Sequence, residues 1–128
     1  MPPLRVLLVD DSAEFLNSVT GWLSMQSAMI LVGCVQSASE ALDQIEKLRP
    51  DLVLMDLAMP DMSGLEATRH LKARAAPPKV VIFTLHDEAH YRAAAQAVGA
   101  DGFIGKSDFV LQIQSVIQEL SPNWSKQG

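Results

Sequence analysis

The 128-residue sequence is short of several features that would commit it to a broad class. Its only cysteine is Cys34, so an internal disulfide and a cysteine-built zinc site are excluded, and a reducing compartment suits it. Cys34 is expected to act as a small core residue. Apolar runs such as Val6 to Val9 and Met29 to Val35 fall far short of the ~20 residues of a membrane span. Met1-Pro2-Pro3-Leu4-Arg5 offers neither an h-region nor a small-residue cleavage site, so a cytoplasmic protein without membrane contact is expected. No Lys/Arg run is present, and ten bases against fifteen acids give a net charge of −5. That balance argues against direct nucleic-acid binding and for a protein or a cation as partner. Internal repeats and low-complexity segments are absent.

What is there suffices for one core. A hydrophobic content of 48% fills the interior of a chain near the commonest single-domain size, and disorder as the main state is excluded. The expectation is one domain over residues 1–120 and a polar tail or truncated linker over 121–128, with Pro122 and a stray Trp124.

Five short apolar runs recur, at Val6 to Val9, Ile30 to Val35, Leu52 to Met55, Val80 to Phe83 and Phe103 to Ile104. Flat apolar runs of this length fit strands covered on both faces, and longer amphipathic stretches between them imply a parallel α/β sheet of five βα units. Phe15, Leu16, Val19 and Leu23 mark a first helix. Ala38, Ala41, Leu42, Ile45 and Leu48 mark a second, with Ser37 and Glu40 spaced as a capping box and Pro50 as its stop. Ser63 and Glu66 repeat the box before Leu65, Thr68 and Leu71. The alanine-rich stretch from Glu88 to Val98 ends at Gly99. Val110, Ile113, Ile117 and Leu120 form the last stripe, with Ser107 or Asp108 as cap.

In an open parallel sheet, ligands bind beyond the carboxyl ends of the strands. There the sequence puts Asp10-Asp11 after the first strand, Asp56 after the third, Thr84 after the fourth and Lys106 after the fifth. Three carboxylates on one edge repel one another unless a cation sits among them. Oxygen-only ligands favour Mg²⁺, or Mn²⁺, over zinc or copper. Thr84 adds a hydroxyl and Lys106 a mobile positive charge, so the set suits phosphoryl acceptance, with Asp56 the candidate nucleophile.

Val9-Asp10-Asp11, the run from Asp56 to Gly64 (DLAMPDMSG), Thr84 and the run from Gly99 to Lys106 (GADGFIGK) together resemble the receiver domain of two-component response regulators, the CheY-like phosphoacceptor domain. The resemblance covers Leu4 to about Leu120. It implies a flavodoxin-like (βα)5 fold with strand order 2-1-3-4-5 and phosphorylation of Asp56 by a histidine kinase or histidine phosphotransfer protein. Asp10, Asp11, Asp56 and the backbone carbonyl of Ala58 would be the Mg²⁺ ligands. Thr84 and Lys106 would hold the phosphoryl group, Phe103 would rotate inward as Thr84 moves, and the face formed by helix four, strand five and helix five would switch. The chain would catalyse only its own phosphorylation and dephosphorylation.

Lys106-Ser107-Asp108 is similar to the NarL/FixJ (LuxR-type) subfamily, whose members usually append a DNA-binding domain. Output would then lie in such a domain or in another protein, with a homodimer on phosphorylation as a further possibility. Phe103 stands where tyrosine is frequent, so its switch would be apolar. Ser107 replaces a common proline, and a trans bond is expected there, because cis would cost about 2.5 to 4 kcal/mol. Leu85 would restrict access to the acyl phosphate. Ala58 and His86 occupy positions that tune dephosphorylation in the family, and Ala58 cannot orient water, so a long phosphoryl lifetime is expected. His86 and His90 lack an evident third metal ligand. Two other readings are a phosphorylation-independent pseudo-receiver acting as an interaction module and a flavin or nucleotide binder, which Asp10-Asp11 would repel.

Overall fold

Each apolar run becomes a strand, and each amphipathic stretch a helix, in a computed structural model that describes residues 3–85 and 89–120. The strands are β1 (Leu4–Val9), β2 (Met29–Val35), β3 (Leu52–Asp56), β4 (Lys79–Thr84) and β5 (Gly102–Gly105). The helices are α1 (Ala13–Leu23), α2 (Ala38–Leu48), α3 (Gly64–Lys72), α4 (Ala89–Ala97) and α5 (Phe109–Leu120). All strand pairs are parallel and the order is β2-β1-β3-β4-β5, the α/β flavodoxin-like arrangement.

Alternate side chains along the central strands supply two cores. Val6, Leu8, Leu54, Val81, Phe83 and Ile104 pack under α1 and α5. Leu7, Val9, Val53, Met55, Ile82 and Phe103 pack under α2, α3 and α4. Flat apolar runs follow from this two-sided cover: every residue of β3 is buried. The edge strand β2 departs from it. Ile30 is 47% exposed and Cys34 is exposed rather than a core residue, because an edge strand has a neighbour on one side only.

Helix starts follow their caps. Ser37 accepts from Glu40 N at 3.2 Å and Ser63 from Glu66 N at 3.1 Å, as their spacing predicts. Thr68 is tolerated in the buried stripe of α3 because its hydroxyl donates to Gly64 O at 2.7 Å. Before Pro50, Arg49 turns left-handed at φ 47°, while the Arg5 guanidinium donates to Leu48 O at 2.7 Å and closes the end of α2. Gly99 supplies the positive φ, 91°, between α4 and β5.

The start of α5 corrects the sequence reading. Lys106–Asp108, where a cap is expected, form a 3₁₀ turn that itself has no side-chain cap and runs directly into α5, and no cis bond occurs among the described residues. The buried stripe is Phe109, Ile113 and Ile117, with Val110 55% exposed. Phe109 wins because it meets Phe15, Phe83 and Trp22 edge-on at 5.7, 6.1 and 6.1 Å between centroids. Met55 is buried, and Met59 and Met62 pack against the second core.

At the opposite edge of the sheet from the strand ends discussed above, Asp101 accepts from Val80 N at 2.8 Å and pairs with Lys72 Nζ at 2.8 Å. Asp101→Ala leaves that amide without its acceptor and Lys72 with only the Pro78 carbonyl at 3.0 Å, and a loss of about 1–3 kcal/mol in urea unfolding is expected, with Mg²⁺ affinity unchanged. No helix among the described residues is long and apolar enough to cross a membrane. Glu88, His86, Pro122, Trp124 and the rest of 121–128 lie outside the described residues.

Candidate functional site

Parallel strands bring their carboxyl ends to one edge, and five side chains expected there come from four different strand ends. Asp10 leaves β1 fully buried, and its Oδ1 accepts from Ser12 N at 2.8 Å. That bond starts the turn into α1, where Ser12 caps by accepting from Phe15 N. Asp56 ends β3 at 4% exposure, and Asp11 is exposed beside them. One oxygen from each of Asp10, Asp11 and Asp56 lies within 4.8 Å of the others.

Lys106 reaches this cluster from the end of β5. Its Nζ is 2.8 Å from Asp10 Oδ2 and 3.5 Å from Asp56 Oδ1. The ammonium also lies 4.8 Å from the centroid of the Phe15 ring and 5.5 Å from that of Phe83, and the side chain is only 11% exposed. The expectation of a mobile charge is therefore corrected: aromatic faces and a buried carboxylate hold it. Thr84 is 2% exposed at the end of β4, where it pairs in register with Gly105.

One positive charge is too little for three carboxylates. Burial, then the Asp10 charge, push the Asp56 carboxyl up to about 7, although Lys106 and the Ala58 N–H pull the other way. Asp10 Oδ2, fully buried, has Lys106 as its charge partner but no aligned hydrogen bond. Hard oxygen donors, close spacing, an oxygen without an aligned donor and a carboxylate short of positive charge all fit a hard divalent cation held by Asp10, Asp11 and Asp56.

Around this centre, Phe103 is 9% exposed, with the Arg92 guanidinium 4.7 Å from its ring centroid. Ala58 is exposed, and Leu85, expected to restrict access, is itself 76% exposed. The His90 and Tyr91 rings lie 4.1 Å apart between centroids, tilted by 39°. Sequence reasoning missed two residues near the site. Gly64 packs its Cα against the Asp56 backbone, where a Cβ would meet Asp56 O at 2.1 Å. Asp61 reaches across to α2, accepting from Ser39 N at 2.9 Å and Ser39 Oγ at 2.7 Å. Nothing local in the sequence signals a contact between residues 22 apart.

Residues 6–118 match the family model described as "Response regulator receiver domain". Over 125 residues the chain is 37% identical to the response regulator protein VraR of Staphylococcus saprophyticus, covering 96% of this chain and 59% of that protein. It is also 37% identical to a protein-glutamate methylesterase/protein-glutamine glutaminase of Koribacter versatilis, covering 88% of this chain and 30% of that protein. The chain thus spans less than two-thirds of the length of either relative. The signal receiver domain of the response regulator NarL from Mycobacterium tuberculosis superposes with a TM-score of 0.87 at 28% identity, covering 94% of this chain and 97% of that one.

Proposed function

Because the chain belongs to the response regulator receiver domain family, with its LuxR/NarL-type regulators among the relatives, we propose that it is a phosphorylation switch that accepts a phosphoryl group on Asp56. The observation that carries this reading is the convergence of Asp10, Asp11 and Asp56 within 4.8 Å, with Lys106 Nζ at 2.8 and 3.5 Å from two of them. Receiver domains bind Mg²⁺ in an acidic pocket, and the three carboxylates, with the Ala58 carbonyl as a fourth group, would hold it here. When bound, the ion neutralises charge that accumulates on the transferring phosphoryl oxygens.

The chain's own groups do the rest. An Asp56 oxygen forms a bond to phosphorus as the P–N bond of a kinase or phosphotransfer-protein phosphohistidine breaks; the imidazole keeps the electron pair and is protonated from solvent. Lys106, beside Asp56 Oδ1, favours the ionised nucleophile and then pairs with a phosphoryl oxygen. Thr84, at the neighbouring strand end, donates its hydroxyl to the phosphoryl group. Phe103 couples that movement to α4, β5 and α5, the face offered to an output domain or partner, including a second copy. The Arg92 guanidinium, 4.7 Å from its ring centroid, ties Phe103 to α4 and supports that coupling. The new dianion makes bonds in one state only, which is what shifts a population.

In this reading residues 1–120 are the receiver and 121–128 a tail or linker, the setting is cytoplasmic, and self-phosphorylation and dephosphorylation are the only reactions. Ala58 cannot orient water for hydrolysis, which supports a phosphoryl lifetime longer than seconds. Incubation with Mg²⁺ and acetyl phosphate should add the mass of one phosphoryl group to the wild type and none to Asp56→Asn. A wild type that gains nothing would favour an interaction module independent of phosphorylation.

A further inference from the structure

We propose that Asp61 is a positioning residue for the carboxylate site: by pinning the tip of the loop after β3 to the first turn of α2, it holds the Ala58 backbone against Asp56. The proposal rests on the reading of Asp10, Asp11 and Asp56 as a divalent-cation site.

The loop runs from Leu57 to Ser63, and its base is fixed by backbone. Leu57 N donates to Phe83 O at 3.0 Å, and Gly64 N donates to Leu57 O at 2.8 Å. Between those ties lies Ala58, exposed, whose N–H helps to lower the Asp56 carboxyl. An exposed loop held only at its base would let that amide wander, because each unfixed residue keeps its backbone entropy. Asp61 removes this freedom from the far side. Its Oδ2 accepts from Ser39 N at 2.9 Å and Ser39 Oγ at 2.7 Å, and its Oδ1 from Ala38 N at 3.4 Å.

These are charge-assisted bonds to amides that the start of a helix leaves without partners. The Ser39 bonds hold the Asp61 carboxyl below the usual carboxylate range. Met59 and Met62, on either side of Pro60-Asp61, pack against the core beneath α2 and α3, so the tip is seated as well as tied. The chain of contacts therefore runs from α2, through Asp61, along three residues of loop, to the amide on Asp56. Removing the first link loosens the last.

The test uses the full chain and two readouts, the Mg²⁺ dissociation constant by calorimetry and the hydrogen exchange of the Ala58 amide by NMR. Asp61→Ala should weaken Mg²⁺ binding about tenfold, as loss of a supporting contact around a metal site does, and speed Ala58 exchange. Asp61→Asn keeps an acceptor for Ser39 and should recover most of both. Ser39→Ala should fall between them, and Asp43→Ala, which removes an exposed acid of α2 outside the clamp, should change neither. Wild-type affinity and wild-type Ala58 exchange in folded Asp61→Ala would overturn the proposal. A wild type that binds no Mg²⁺ would instead overturn the cation-site reading, and Ala58 exchange would still decide whether Asp61 holds the loop.

Discussion

Raising the pH from about 5 to about 8 in EDTA should cost the wild-type chain about 2–3 kcal/mol of stability relative to Asp56→Asn. The carboxyl of Asp56 titrates at about 7 in the fold against 3.8 for an ordinary aspartate. Between those values the folded chain keeps a proton that the unfolded chain has released. Folding then takes up a proton, so stability falls as pH rises through the window and the loss is complete above about 7. Asp61, with its lowered value, acts in the opposite sense: its stabilisation is present above the ordinary value and fades in acid. Wild type and variant share that contribution, so their difference isolates Asp56.

Urea unfolding at both pH values measures the gap. Millimolar Mg²⁺ should close it at the higher pH in the wild type alone, because a bound cation favours the ionised carboxylate. A wild type and variant that differ equally at both pH values would rule out the strained, under-neutralised Asp56 described above.

Gly64→Ala should be more damaging than a methyl at Gly21, Gly33, Gly99 or Gly102. The added carbon would lie 2.1 Å from Asp56 O, 3.0 Å from Asp56 C and 3.1 Å from Leu57 Cα, all backbone atoms that no rotamer change can move aside. Either α3 backs away from β3 or the Asp56 peptide shifts. Overpacking of flexible side chains costs about 1–3 kcal/mol, and a clash with fixed backbone should exceed about 3 kcal/mol in urea unfolding. Any fraction that folds should bind Mg²⁺ weakly, since the shifted peptide carries the central carboxylate. Stability within about 0.5 kcal/mol of wild type would show that the helix start yields freely.

The contrast between these two sites and the rest of the chain shows what sequence carries. Strand ends were readable because a parallel sheet sends every carboxyl end to one edge, so Asp10, Asp11, Asp56, Thr84 and Lys106 needed only their place in the βα order. Ser37 and Ser63 were readable because caps are local. Cys34 was misjudged because periodicity does not distinguish an edge strand from a central one. The stripe read from Val110 missed Phe109 because spacing alone does not show that an aromatic cluster with Phe15, Phe83 and Trp22 awaits it. Asp61 and Gly64 belong to the run that carries the resemblance, but their contacts are not legible there for a shared reason: each acts on an element that the sequence places elsewhere, one on a helix 22 residues back, the other on the strand before its own loop.

Lys106 has a kinetic consequence. Its ammonium already lies between two carboxylates, over two aromatic rings, and it is the first residue of the 3₁₀ turn that runs straight into α5. A counter-ion waiting in solvent would have to find a newly charged group by a rotamer search and then pull a slack chain. Here the ammonium is already in place, and one 3₁₀ turn separates its backbone from α5. On the proposed reading, the response to new charge at Asp56 would be set by the rate of the chemistry, and its memory by the lifetime of the bond formed.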